Sequence, residues 1–264
     1  MIRKKTLSIL GITVFCVITI VTNLTLSTDT SNTIPNQIEK DVPDNLTFSN
    51  TQQWDPQLLD LLHTPLILVP DFINSFQLTL PPSNTSSTTR SELAHLHQLA
   101  KQRTTEQYTD ILQHIAIEAV PFGSSTFSEL TSSTTRPHTN VLLNTVHTEF
   151  VPIILHYKKK FDRVRPSALD HTLTTLIPVP NHPAYPSGHA AESYLFALVF
   201  SDIDPDQSIR YFESAQTIAH EREIAGVHYP SDSAAGVALA EQFFFAIKNT
   251  TWYIQEREKA REEW

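Results

Sequence analysis

Three short runs of this 264-residue chain carry side chains that could bind or attack an oxyanion. The first is Lys158-Lys159-Lys160-Phe161-Asp162-Arg163-Val164-Arg165-Pro166. Seven residues of helix turn through about 700°, so Lys158 and Arg165 would share a face about 10 Å apart. They continue the apolar stripe through Ile154 and Phe161, which points both cations inward, and Pro166 should end the helix at Arg165. Inward cations need an anion; a solvated basic run is the plainer alternative. The second run is His182-Pro183-Ala184-Tyr185-Pro186-Ser187-Gly188-His189. Ser187 suits a helix N-cap, Gly188 admits close approach to the backbone, and the free N–H groups at a helix start favour an anion with His189 at the mouth. A turn and cap with a structural histidine fits the same letters. The third run is Glu221 to Asp232, containing Arg222, His228 and Pro230. Asp232 could fix the tautomer of His228 and leave its other nitrogen as a nucleophile, while Arg222 offers a fork suited to oxyanion oxygens. Alone, this run is equally a capped helix with a surface histidine.

The elements that must position these groups are helical. Leu93, Leu96 and Leu99, then Ile111, Ile115 and Ala119, fall at helical spacing, predicting helices over 91–101 and 105–120. Residues 81–89 form a loop. A third stripe runs through Leu143, Val146, Phe150, Ile154, Tyr157 and Phe161, with Pro152 as a kink. Residues 190–200 are apolar on nearly every face, which predicts a buried helix too short for a bilayer. Helices over 209–220 and 232–248 follow, and 255–263 reads as a solvated helical end. No strand pattern persists beyond a few residues, so the fold class is all-α.

Together the three runs read Lys-x6-Arg-Pro, Pro-Ser-Gly-His and Arg-x5-His-x3-Asp, with 19 residues between Pro166 and Pro186 and 32 between His189 and Arg222. This pattern resembles the signature of the type 2 phosphatidic acid phosphatase / vanadium-dependent haloperoxidase superfamily, in particular its soluble bacterial acid phosphatases. The resemblance covers roughly residues 140–248 and implies a helical bundle of that type. It also implies a metal-independent phosphatase that works through a phosphohistidine. His228 would attack phosphorus, Asp232 orient it, and His189 protonate the leaving oxygen. Lys158, Arg165, Ser187, Gly188 and Arg222 would bind the phosphate. No cofactor is implied for a phosphatase; in the alternative, vanadate sits in the same cradle on His228 and the activity is that of a haloperoxidase. The implied partner is a phosphorylated small molecule or a lipid phosphate. One departure is Glu221, where the family usually has serine; a carboxylate there would weaken anion binding or alter pH dependence. A non-catalytic anion binder would be signalled by loss of His228 or Asp232, and both are present.

Composition narrows the classes further. Asp plus Glu number 28 against 19 Lys plus Arg, a net charge of −9 that argues against a nucleic-acid partner. Cys16 is the one cysteine, and five glycines leave no glycine-rich phosphate loop. His138, His147 and His156 match no metal spacing and read as helix-face residues. Arg3, Lys4 and Lys5 precede an uncharged stretch from Thr6 to Thr28. Residues 1–27 therefore read as a signal peptide or a single N-terminal membrane anchor. Either places the rest outside the cytoplasm: periplasmic, extracellular or on the outer side of the membrane. Residues 28–50 read as a polar linker and 51–264 as the all-α domain. The rim of its pocket is expected from residues 85–135.

Overall fold

The computed structural model describes residues 45–70, 75–115 and 134–264, and all regular structure among them is helical. Residues 1–27, read as a signal peptide or anchor, and residues 28–44 of the expected linker lie outside the described residues. Two short helices, α1 (Phe48–Thr51) and α2 (Pro56–Leu61), precede α3 (Ser87–Gln102) and α4 (Thr105–Ile115). The long α5 (Pro137–Phe161) leads through a single turn, α6 (Pro166–Leu169), to α7 (Gly188–Ile203), α8 (Ser208–Ile224), α9 (Pro230–Ile247) and α10 (Thr251–Arg261). The all-α architecture expected from the sequence is the one observed. Among the described residues, no helix is long and apolar enough to cross a membrane.

The bundle is built around α7, which packs against α5, α8, α9 and α10. Its lack of a polar face is the cause: Leu195, Phe196, Val199 and Phe200 are all fully buried. Burying each such side chain stabilises the fold by about 1.5–3 kcal/mol. From α5, Phe150 meets Phe243 of α9 in a stacked pair at 4.8 Å. A smaller cluster of Leu93, Leu96, Val164, Leu169 and Tyr229 joins α3 to the segments that carry the motifs.

Several boundaries differ from expectation, each for a local reason. The loop at 81–89 is shorter, because Ser86 Oγ accepts the Thr89 N–H at 3.1 Å and starts α3 at Ser87. The linker ends earlier, because Phe48 is fully buried. The C-terminal tail is helical and largely exposed as expected, but it is anchored at two points: Ala260 is fully buried, and Glu263 accepts the backbone N–H groups of His138 (2.7 Å) and Thr139 (2.9 Å). A carboxylate there satisfies the open donors at the start of α5.

The largest correction concerns the first motif. Helix α5 stops at Phe161, four residues before Arg165, so Lys158 and Arg165 do not share a helical face. Asp162 adopts the left-handed conformation at φ 47°, which aspartate tolerates better than most residues. It is held there by the preceding segment: its carbonyl accepts the Phe48 N–H at 2.9 Å, and its carboxylate accepts the Ser49 hydroxyl at 2.9 Å. Arg165 is extended (φ −71°, ψ 151°) at the start of α6.

Candidate active site

The three motifs converge on one end of the bundle. Lys158 comes from the last turns of α5, Arg165 from the turn before α6, Ser187 to His189 from the start of α7, Arg222 from the end of α8, and His228 and Asp232 from the start of α9. All are buried apart from Gly188, which is partly exposed. The α7 and α9 starts are tied directly, since the Ser187 N–H donates to the Asp232 carbonyl at 2.9 Å. Tyr185–Pro186 is a cis peptide bond. At the end of α8 the chain turns back through Gly226 at φ +78°, a conformation in which any Cβ would be strained.

His228 is gripped at both nitrogens. Nδ1 lies 3.1 Å from Asp232 Oδ2, and Nε2 lies 3.0 Å from Arg165 Nη1. The arginine can only donate, so Nε2 accepts and Nδ1 carries the proton, which it gives to Asp232. The same Arg165 donates from Nε to the His182 carbonyl (2.9 Å) and from Nη2 to His182 Nδ1 (3.0 Å). Lys158 Nζ donates to the carbonyls of Pro183 (2.8 Å) and Pro186 (2.7 Å), which leaves its third proton for the cavity it lines.

That cavity has a volume of about 650 Å³. Lys158, His182, Gly188, His189 and Arg222 form its polar end, and Leu58, Leu61, Val151, Leu155, Ile177 and Val179 wall the rest. His228, Asp232, Arg165 and Ser187 do not line it; Arg165 lies one layer in, bonded to His182 on the lining and to His228. Ser187 Oγ is occupied as the α7 cap, accepting the Ala190 N–H at 3.4 Å. Glu221 is buried on α8 and does not line the cavity. The described part of the expected rim does not form the cavity wall, and residues 116–133 lie outside the described residues. Residues 85–112 contribute nothing to the lining; residues 55–64 and 177–182 do.

Charge and burial act together on the titratable groups. Burial first, then Arg165, Lys158, Arg222 and Arg163, hold His228 far below the usual histidine range. His189 is held down by burial and then by Arg222 and His228, and His182 by burial, Lys158 and Arg165. Lys158 is pushed well below an ordinary lysine by burial and Arg165, with Asp232 and Glu192 opposing. His189 Nε2 is buried and has no partner among the described residues. The arrangement is a cluster of cations and neutral imidazoles that an oxyanion with two negative charges would complete.

Three groups escaped the motifs. His182 opens the second run outside its Pro-Ser-Gly-His core, Arg163 lies within the first run between Lys158 and Arg165, and Glu92 on α3 has no local signature at all. Arg163 Nη1 lies 2.5 Å from Asp232 Oδ1, and Nη2 lies 3.1 Å from Glu92 Oε2. Only tertiary contact reveals the last pair.

Residues 137–256 match the PAP2 superfamily, the stretch that carries all three motifs. Over 110 residues the chain is 27% identical to a non-specific acid phosphatase of Providencia stuartii, covering 40% of this chain and 44% of that enzyme. It is 30% identical over 90 residues to a lipid A 1-phosphatase of Rhizobium johnstonii, covering 33% of this chain and 37% of that one. The chain thus spans less than half the length of these curated relatives. Among solved structures it is similar to an apo-type bacterial vanadium-dependent chloroperoxidase, with a TM-score of 0.61 at 14% identity over 79% of this chain and 57% of that one. At that identity the likeness is one of fold. Sequence match, helical architecture and converging motifs agree that residues 137–256 form a PAP2 superfamily domain.

Proposed function

We propose that this protein is a phosphoric ester hydrolase that cleaves phosphate monoesters through a covalent phosphohistidine on His228. The observation that carries it is the grip on His228: Asp232 holds the Nδ1 proton, and Nε2 faces the guanidinium of Arg165 inside a cluster of buried cations. Similarity to acid phosphatases supports the same reaction class.

Each group then has a task. A phosphate oxygen replaces Nε2 as the partner of the Arg165 N–H, while Lys158, Arg222 and the Gly188 N–H take the remaining charge. Each such contact to the transition state is worth about 2–4 kcal/mol. The His228 Nε2 lone pair forms the P–N bond as the P–O ester bond breaks. His189, raised toward protonation by the two negative charges of the bound phosphate, gives its proton to the leaving oxygen. Water then attacks phosphorus, His189 takes its proton, and the P–N bond breaks to release inorganic phosphate. Three fixed cations supply the charge stabilisation that a metal ion supplies elsewhere, so the hydrolysis is proposed to need no metal or cofactor. The apolar wall favours esters of apolar or aromatic alcohols, whether small molecules or lipid phosphates reached from a membrane surface. The export segment puts the site outside the cytoplasm.

Vanadate is a tetrahedral oxyanion of the same charge class, and Lys158, Arg165, Arg222 and His228 fit it equally well. Bound there, it would supply peroxide-dependent halide oxidation.

The test is a panel of phosphate esters with wild-type protein and His228→Ala, with and without vanadate and chelator. Expected are hydrolysis by the wild type, loss of at least about 10³-fold in His228→Ala, inhibition by vanadate and indifference to chelator. Absence of hydrolysis together with bromination of a dye by peroxide and bromide in added vanadate would overturn the assignment.

A further inference from the structure

Asp232 is shared. Its Oδ2 accepts from His228 Nδ1 at 3.1 Å and from the Tyr229 N–H at 2.9 Å, whereas its Oδ1 belongs to Arg163 Nη1 at 2.5 Å. Arg163 is itself buried in the turn between α5 and α6, with its guanidinium carbon 3.9 Å from the centre of the Tyr229 ring. Nη1 also donates to Ser231 Oγ at 2.7 Å, and Nη2 donates to Glu92 Oε2 at 3.1 Å. The other oxygen of Glu92 accepts the Ser231 N–H at 2.7 Å. Glu92 sits on α3, outside the segment that matches the PAP2 superfamily. A buried line of alternating charge therefore runs Glu92–Arg163–Asp232–His228 from one packing unit of the fold into the active site.

We propose that Arg163 and Glu92 are positioning residues that act on His228 through Asp232 and set the lowest pH at which its ring remains an unprotonated nucleophile. This rests on the phosphohistidine assignment for His228.

The physical case is one of signs. A carboxylate engaged by a histidine alone stabilises the imidazolium and raises the proton affinity of the ring. Arg163 takes half of that carboxylate and adds a fixed positive charge one residue away, which opposes protonation of His228. Glu92 works the other way, since it neutralises part of Arg163. The groups that face His228 from the packed elements are Lys158 of α5, Arg165 before α6, His182 and His189 around the start of α7, Arg222 of α8 and Asp232 of α9. Among these the cations all push the ring toward neutrality, and Arg163 is one of the contributors from beyond direct contact. In an environment this buried, charges at such separations are weakly screened.

Substitution should therefore move the acid limb of kcat/KM in opposite directions at the two ends of one ion pair. Arg163→Gln removes the positive charge and is expected to raise the apparent pKa of the acid limb by about one unit. Glu92→Gln keeps an amide oxygen for the Ser231 N–H, removes the negative charge, and is expected to lower it by roughly half a unit. Arg163→Lys keeps the charge without the fork, so its limb should stay near wild type while kcat falls. The same aryl phosphate is used throughout, so its own ionisation cancels between variants. Histidine NMR titration of the free full-length protein, with the His228 signal assigned by its loss in His228→Ala, reads the Arg163→Gln shift without any turnover.

Opposite shifts support the proposal. Variants that merely lose rate, with acid limbs coincident with wild type, overturn it. Should Arg163→Gln fail to fold, the downward shift in Glu92→Gln decides alone, because loss of packing has no reason to favour a neutral ring. If the wild type hydrolyses no ester, the phosphatase assignment fails. The NMR comparison still stands or falls separately.

Discussion

A Cβ placed on Gly236 would stand 2.6 Å from the carbonyl oxygen of Ser187, nearer than any real Cβ contact. It would also meet the Ala191 nitrogen at 2.9 Å. Helices α7 and α9 thus touch backbone to backbone close to where one starts with Ser187 to His189 and the other carries Asp232 in its first turn. Gly236→Ala must push them apart, and backbone cannot yield as a flexible side chain would. The expected cost is about 1–3 kcal/mol of stability, with a loss of kcat larger than the change in KM. Thermal melting and steady-state kinetics check this; an alanine variant with wild-type Tm and kcat would show that the contact does not set the site.

His189 is assigned as the proton donor, and that role depends on what is leaving. A nitrophenolate departs without help, while an alkoxide does not. His189→Ala should therefore slow hydrolysis of alkyl phosphates by about 10²–10⁴-fold and that of nitrophenyl phosphate far less. Equal losses on both substrates contradict the acid role. Among the described residues His189 Nε2 lies buried without a partner, as expected for a group that waits for a substrate oxygen.

Much of this site could be read from residue types and spacing, because the motifs bind through local geometry: a serine cap, a histidine four residues before an aspartate, a proline after an arginine. The burial of Lys158 and Arg165 was likewise legible, though the single helix assumed to carry both was not. That helix ends early because Asp162 bonds to Phe48 and Ser49, residues over a hundred positions away. Glu92 was invisible for the same reason: on α3 it looks like any solvent-facing glutamate. The part of the pocket wall built from residues 55–64 went unread because those residues carry no periodicity strong enough to announce it. Local pattern marked the polar groups that converge, and long-range contact decided what surrounds them.

The three neutral histidines of the site predict a pH-dependent stability. In the unfolded chain each titrates near 6.5, whereas in the folded protein His182, His189 and His228 are all held well below that. A group with a depressed folded pKa binds more protons when unfolded, so its contribution is present above about pH 6.5 and is lost as pH falls. Tm should decline between pH 7 and pH 5. Inorganic phosphate should recover more Tm at pH 5.5 than at pH 8, because a bound anion raises the proton affinity of the imidazoles. A phosphate effect independent of pH contradicts this coupling. Removing one contributor, as in His182→Phe, should flatten the slope.

Glu192 brings a carboxylate close to the cradle. It lies one turn into α7 and lines the cavity, with Oε1 3.6 Å from where a Gly188 side chain would begin. Its other oxygen is 3.7 Å from His147 Nε2 on α5, so the histidine read as a plain helix-face residue borders the pocket too. A carboxylate beside an oxyanion cradle repels the dianion, yet the same charge helps keep the proton on Lys158. Glu192→Gln separates the two effects. At neutral pH, where Lys158 is completed by the bound anion, inhibition by inorganic phosphate should tighten about three- to tenfold as the repulsion is lost. At alkaline pH the opposite holds: with less negative charge nearby, Lys158 gives up its proton sooner, so the alkaline limb of kcat/KM moves to lower pH. Phosphate inhibition constants and the pH profile measure both. A variant unchanged in each would mean that the carboxylate faces solvent in the working enzyme and plays no part in anion affinity.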